Sequence, residues 1–183
     1  MRLVVSDAHA GLKAAIARTM QGASWQRCRV HALRNLLAVA RPGQRPMIAA
    51  LVRTIFAQPD AETARTQLRA VAEQLSAPAE NVSMRLESME TDLLAYTAFP
   101  AGHWSKIWSN NPIERLNREL KRRTDVVQIF PNPESVIRLV GALLVEINDE
   151  MIAAPRRYIA AASIAPDLDH HQEVTSLPAA PRT

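Results

Sequence analysis

Only one cysteine, Cys28, stands among 183 residues, so the chain can form no internal disulfide and its composition suits a reducing compartment. Aromatic residues are scarce, at 4%. A core short of aromatics must be filled by Ala, Leu and Val, which predicts helices packed through aliphatic side chains. Long apolar runs are missing as well, since none reaches the roughly 18 residues of a membrane-spanning helix. The apolar start is broken almost at once by Asp7 and His9, which does not fit a secretory signal. These absences exclude a disulfide scaffold and a membrane protein, and they predict a cytoplasmic one. What remains, 48% hydrophobic and 22% charged, suffices for a globular domain with a real core.

The most informative stretch runs from Asn110 to Thr124. Asn111 can cap a helix and Pro112 fits its first position. Ile113, Leu116 and Leu120 recur at helical spacing and are expected to point inward. Glu114, Asn117 and Lys121 form a second row, and Arg115, Arg118 and Arg122 a third. With Arg123, this helix holds five cations against two acids, Glu114 and Glu119, and so carries most of the formal charge of +4. A solvated helix usually mixes its signs more evenly. The concentration favours a nucleic-acid surface.

Elsewhere, Leu3–Ser6 reads as a short buried strand that ends at Asp7, where open α/β sheets place their ligands. A helix is expected from Gly11 to Gln21, with Leu12, Ile16 and Met20 on one stripe and Gly22 as its stop. No earlier strand is available to pair with Leu3–Ser6. From about Arg29 to Thr97 the pattern is helical, punctuated by Pro42 and Pro46, by Pro59-Asp60 and by Ser76-Ala77-Pro78, with a last helix over about 79–96. Val126–Phe130 reads as a strand or extended connector. Asn132-Pro133 repeats the cap-plus-proline start and leads an apolar helix through Ile147. Beyond about Ser163, periodicity ends and a disordered tail, including His170 and His171, is expected.

Asp7 and Glu114 are the candidate carboxylates. Paired acids hold two Mg²⁺ ions about 3.5–4 Å apart in nucleases and polymerases, clamping both oxygens of an in-line displacement. The plainer alternative makes Asp7 a helix N-cap and Glu114 an early-turn acid favoured by the helix dipole. Cys28 and His31 form a Cys-x-x-His pair, but zinc needs about four ligands and no second pair is visible. A buried Cys and a satisfied His are the plainer reading there. Trp104 and Trp108 read first as core, with stacking on an unpaired base as the alternative.

Val4 to Leu12, Trp25 to His31, His103-Trp104 through Thr124, and Ile129-Phe130-Pro131-Asn132 closely resemble bacterial Mutator-type insertion-sequence transposases, in order, over about positions 2 to 160. The resemblance implies a ribonuclease H-like fold with an Asp-Asp-Glu triad and a helical insertion between the second Asp and the Glu. It makes Asp7 that second Asp and Glu114 the Glu. Lys121 matches a basic position that contacts the transposon end, Cys28 and His31 match a Cys-x-x-His signature, and Trp108, Asn111 and Asn117 are accessory candidates. The implied chemistry is Mg²⁺-dependent phosphodiester hydrolysis and strand transfer on double-stranded DNA.

The first Asp of the triad should lie on an earlier strand, and the expectation is therefore a C-terminal portion that is inactive alone. The expected fold is mostly α with few or no paired strands. It divides into a strand–helix remnant of the ribonuclease H-like core (1–28), a helical insertion (29–105), C-terminal catalytic helices (106–162) and the tail (163–183). A homo-oligomer is implied for the full-length protein. The competing class is a helical DNA-binding or oligomerising module without chemistry, using Arg115, Arg118, Lys121, Arg122 and Arg123 on phosphates. A zinc-binding regulator built on Cys28 and His31 is a third.

Overall fold

The first element, β1 (Leu3–Ser6), has a partner that the sequence pattern did not reveal. In a computed structural model of the chain, β2 (Ser24–Arg27) pairs with it in parallel, with Leu3 opposite Ser24 and Ser6 opposite Arg27. The structure describes residues 1–155 and 158–159, so the expected tail beyond Ser163 lies outside them. Parallel strands need a crossover, and α1 (Ala10–Thr19) supplies it. Of its expected stripe only Ile16 is buried; Leu12 and Met20 are exposed. Gly22 at φ 83° makes the turn back to β2, a left-handed conformation that glycine adopts without a Cβ penalty. β1 is half-buried rather than buried, with only Ser6 fully covered.

Cα packing divides the chain into two compact units, Met1–Pro112 and a second that begins at Ile113. In the first, α2 (Arg29–Val39), α3 (Arg45–Ile55), α4 (Ala61–Ser76) and α5 (Glu80–Ser88) follow the sheet. They bury an aliphatic core that includes Leu36, Ile48, Ile55, Leu68, Leu75 and Leu86. Removing that much apolar surface from water is the main force holding the helices together. Local signals set the ends. Asp60 caps α4 by accepting from the Thr63 N–H at 2.8 Å. Ser83, buried on α5, donates to the Ala72 carbonyl of α4 at 2.6 Å and fixes the pair in register.

The single helix expected over about 79–96 is broken. Helix α5 ends at Met89, a short α6 (Glu90–Leu93) follows, and Ala95–Ala98 forms a 3₁₀ turn. The break brings Tyr96 into the core, where it stacks at 6.1 Å on Phe56 and meets Trp104 edge-on at 5.2 Å. Helix α7 (Trp104–Ile107) then leads to α8 (Asn111–Val127).

Helix α8 runs into the second unit, followed by α9 (Pro133–Ala153). Val126 and Val127, expected to be extended, belong to α8: the helix continues through them and ends at Gln128, at φ 59°. α9 starts as expected, with Asn132 accepting from the Ser135 N–H at 2.9 Å. The inward row on α8 is corrected too, since Ile113 is 57% exposed and Leu116 and Leu120 are only half-buried. Periodicity names a face; it does not supply a neighbour to cover it.

Candidate functional site

Ser6 and Arg27 are the last residues of their strands and lie opposite each other, so Asp7 and Cys28 follow side by side at the carboxyl edge of the sheet. The Cys28 N–H donates to the Ser6 carbonyl at 2.8 Å, which extends the ladder to this edge. The Trp25 indole N–H donates to Ser6 Oγ at 2.8 Å, and that hydroxyl donates to the Asp7 carbonyl at 2.8 Å. The backbone leading into Asp7 is therefore held by its neighbours.

Asp7 does not cap α1. That place belongs to His9, whose side chain makes no capping bond. The half-buried Asp7 carboxylate accepts one long bond, 3.3 Å from the His9 N–H to Oδ1. Its Oδ2 has no partner among the described residues. Such an oxygen is available to a ligand.

Cys28 is fully buried and His31 half-buried at the start of α2. Among the described residues, no three of His, Cys, Asp and Glu gather into a group that could hold a metal ion. The next residue, Arg29, ties this edge to the segment before α8. Its N–H donates to the Trp108 carbonyl at 2.9 Å, and its guanidinium lies 4.0 Å over the Trp108 ring. Trp108 also meets Phe56 and Tyr96 edge-on, at 5.9 and 5.8 Å. Trp104 is core: it is buried, and its indole N–H donates to the Phe99 carbonyl at 2.7 Å. Stacking of a base on Trp104 is thereby excluded.

On the flank of the sheet, Asp92 accepts from Arg27 at 3.2 Å and Lys13 at 3.3 Å, with both cations over the Trp25 ring. Sequence reasoning missed Arg29, Trp25 and Asp92. Trp25 and Arg29 lie within the Trp25–His31 motif, but nothing in its spacing names their partners, and all three find those partners through the tertiary fold.

On α8, Glu114 lies in the first turn and is half-buried. Arg115, Arg118, Lys121, Arg122 and Arg123 are all exposed, as is Asn117. The cations are not equivalent. Glu119 accepts from both Arg122, at 2.6 and 3.0 Å, and Arg123, at 3.0 Å. Those bonds pull its carboxyl down to about 2, so it stays ionised at any ordinary pH and keeps both guanidiniums engaged. Among the described residues, Arg115, Arg118 and Lys121 pair with no acid. Glu119→Gln is therefore expected to release both guanidiniums from their carboxylate partner and to raise the free positive charge of α8.

No helix of the described residues is long and apolar enough to cross a membrane. A family described as transposase, Mutator family, matches residues 1–154. The chain is 52% identical over 157 residues to the transposase of insertion sequence IS1081 from Mycobacterium tuberculosis, covering 86% of the chain and 38% of that protein. It is 40% identical over 149 residues to the IS406 transposase of Burkholderia multivorans, covering 81% and 38%. Against the IS256 transposase in transposon Tn4001 of Staphylococcus aureus, it is 37% identical over 159 residues, covering 86% and 40%. The chain thus spans about two fifths of the length of these relatives.

Proposed function

The chain belongs to the Mutator family of transposases, and from that premise we propose that it is the C-terminal portion of a ribonuclease H-like Asp-Asp-Glu catalytic region. Asp7 and Glu114 are its metal-binding carboxylates, and α8 is its contact with the transposon end. One observation carries this reading. Asp7 stands at the carboxyl edge of a parallel strand pair with an unpartnered oxygen.

The donor set fits magnesium in kind. Both residues offer hard carboxylate oxygens, and Mg²⁺ accepts one or two carboxylates while keeping waters and substrate phosphates. Bound there, Mg²⁺ would activate a water or a DNA 3′ hydroxyl and stabilise the leaving oxygen. The chain's own residues do the rest. Arg115, Arg118 and Lys121 bind phosphates and hold the duplex along α8. Ser6 and Trp25 keep the Asp7 backbone in place. In this reading Asp7 and Glu114 are two of the three carboxylates in the implied triad, and DNA binding is the activity expected of these residues by themselves. Within a longer protein it works in an assembly of at least two copies, in the cytoplasm.

A second reading, a helical DNA-binding module without chemistry, draws on the lack of a three-donor group among the described residues. Paramagnetic broadening by Mn²⁺ in NMR spectra separates the two. Broadening is expected to centre on the neighbours of Asp7 and Glu114, to weaken with Glu114→Gln and to be lost with Asp7→Asn. Diffuse broadening over the surface acids, unchanged in both variants, favours the second reading. Cleavage of transposon-end DNA by the chain alone, with Mg²⁺, would show that two carboxylates suffice.

A further inference from the structure

A half-open cleft of about 330 Å³ lies where α2 begins and α3 ends, lined by Arg29, Val30, Leu33, Val52, Arg53 and Phe56. Its lining is apolar except for two guanidiniums. Among the described residues, neither Arg29 nor Arg53 pairs with a carboxylate. Arg29 is half-buried and held by ring faces, 4.0 Å from Trp108 and 5.5 Å from Phe56. A half-buried cation gives up part of its hydration, and ring faces replace only part of that. Burial accordingly lowers the pKa of Arg29 from its usual value, although it remains protonated. Two arginines are suited to phosphate oxygens, because each guanidinium is a planar fork of donors that stays charged. The first turn of α2 adds the positive end of a helix to the same cleft.

We propose that this cleft is a phosphate site, in which Arg29 and Arg53 take a backbone phosphate of the DNA as an anchor additional to α8. The assignment rests on the DNA-binding reading above. It differs from that reading in placing a DNA contact on the helical insertion, whose residues carry none of the implied triad.

The test uses the purified chain, a labelled duplex oligonucleotide and its single strand, with affinity measured across a salt series. Arg53 is exposed, so Arg53→Gln should leave the fold intact. It is expected to weaken binding roughly tenfold and to make the salt dependence shallower by about one counterion. Arg29→Gln should do the same, with its thermal melt measured alongside because the residue also packs on Trp108. Equal losses on both DNAs support a backbone phosphate held whether or not the strand is paired, a loss confined to the duplex supports a duplex phosphate, and a loss confined to the single strand supports an unpaired one. If Arg53→Gln leaves affinity and salt slope unchanged on both DNAs while Arg118→Gln still weakens them, the cleft assignment is overturned and the DNA-binding reading stands. If the unaltered chain shows no salt-dependent binding, both fall together.

Discussion

Gln26→Leu should cost the first unit about 3 kcal/mol or more, because each buried polar group left without a partner costs about 1–3 kcal/mol. Gln26 is fully buried on β2. Its amide Nε2 donates to the Leu93 carbonyl at 2.8 Å and the Arg27 carbonyl at 2.7 Å, and its Oε1 accepts from the Tyr96 N–H at 2.7 Å. These bonds fasten the sheet to the broken helix that follows α5. Leucine has nearly the same volume, so the substitution opens little cavity and isolates the polar loss. It strands the Leu93 carbonyl and the Tyr96 N–H in an apolar interior. For a unit of this size, the melting temperature should fall by roughly 10 °C or more. The damage should also spread, because Tyr96 is the ring on which Phe56, Trp104 and Trp108 converge. Near-ultraviolet circular dichroism should lose its Trp signal along with the melt. A melting temperature within about 2 °C of the unaltered chain would mean that water replaces the amide at no cost, and the clamp would then contribute little.

Gln26 also shows where sequence reading stops. The caps at Asp60 and Asn132 were legible because each bonds to an N–H three residues on, inside one window of sequence. Gln26 bonds to residues 67 and 70 positions away, and no local pattern reports such a pair. β2 was missed for a related reason. Ser24-Trp25-Gln26-Arg27 has no apolar alternation, and it is a strand because β1 offers it a ladder. At Val126-Val127 the error ran the other way: β-branched residues suggested extension, and the momentum of a formed helix overrode that weak preference. The place of Asp7 just past the end of a strand was legible because the apolar run before it stops there. Arg29 was not, since its importance comes from Trp108 and Phe56 closing around it.

Replacing Arg115, Arg118 and Lys121 together with glutamine should lower affinity for duplex DNA by about 100-fold or more near 0.1 M salt, where taking one cation off a phosphate costs close to a factor of ten. These three are chosen because they are exposed and pair with no acid among the described residues, whereas Arg122 and Arg123 are shared with Glu119. Glutamine is nearly as good a helix former as arginine or lysine, so α8 should persist and far-ultraviolet circular dichroism should not change. The slope of log affinity against log salt should become shallower by two to three, about one for each phosphate left without its cation. That slope is the sharper measurement. A solvated helix with no partner would show a small drop in affinity from net charge alone and an unchanged slope. A helix lying along the backbone must show the slope fall with each cation removed, in single variants first and then in the triple. Glu119→Gln provides the opposite sign on the same helix, since it adds released cations instead of removing free ones. If the triple variant binds as tightly as the unaltered chain and with the same slope, α8 is a solvated surface, and the DNA-binding face must be sought elsewhere on the chain.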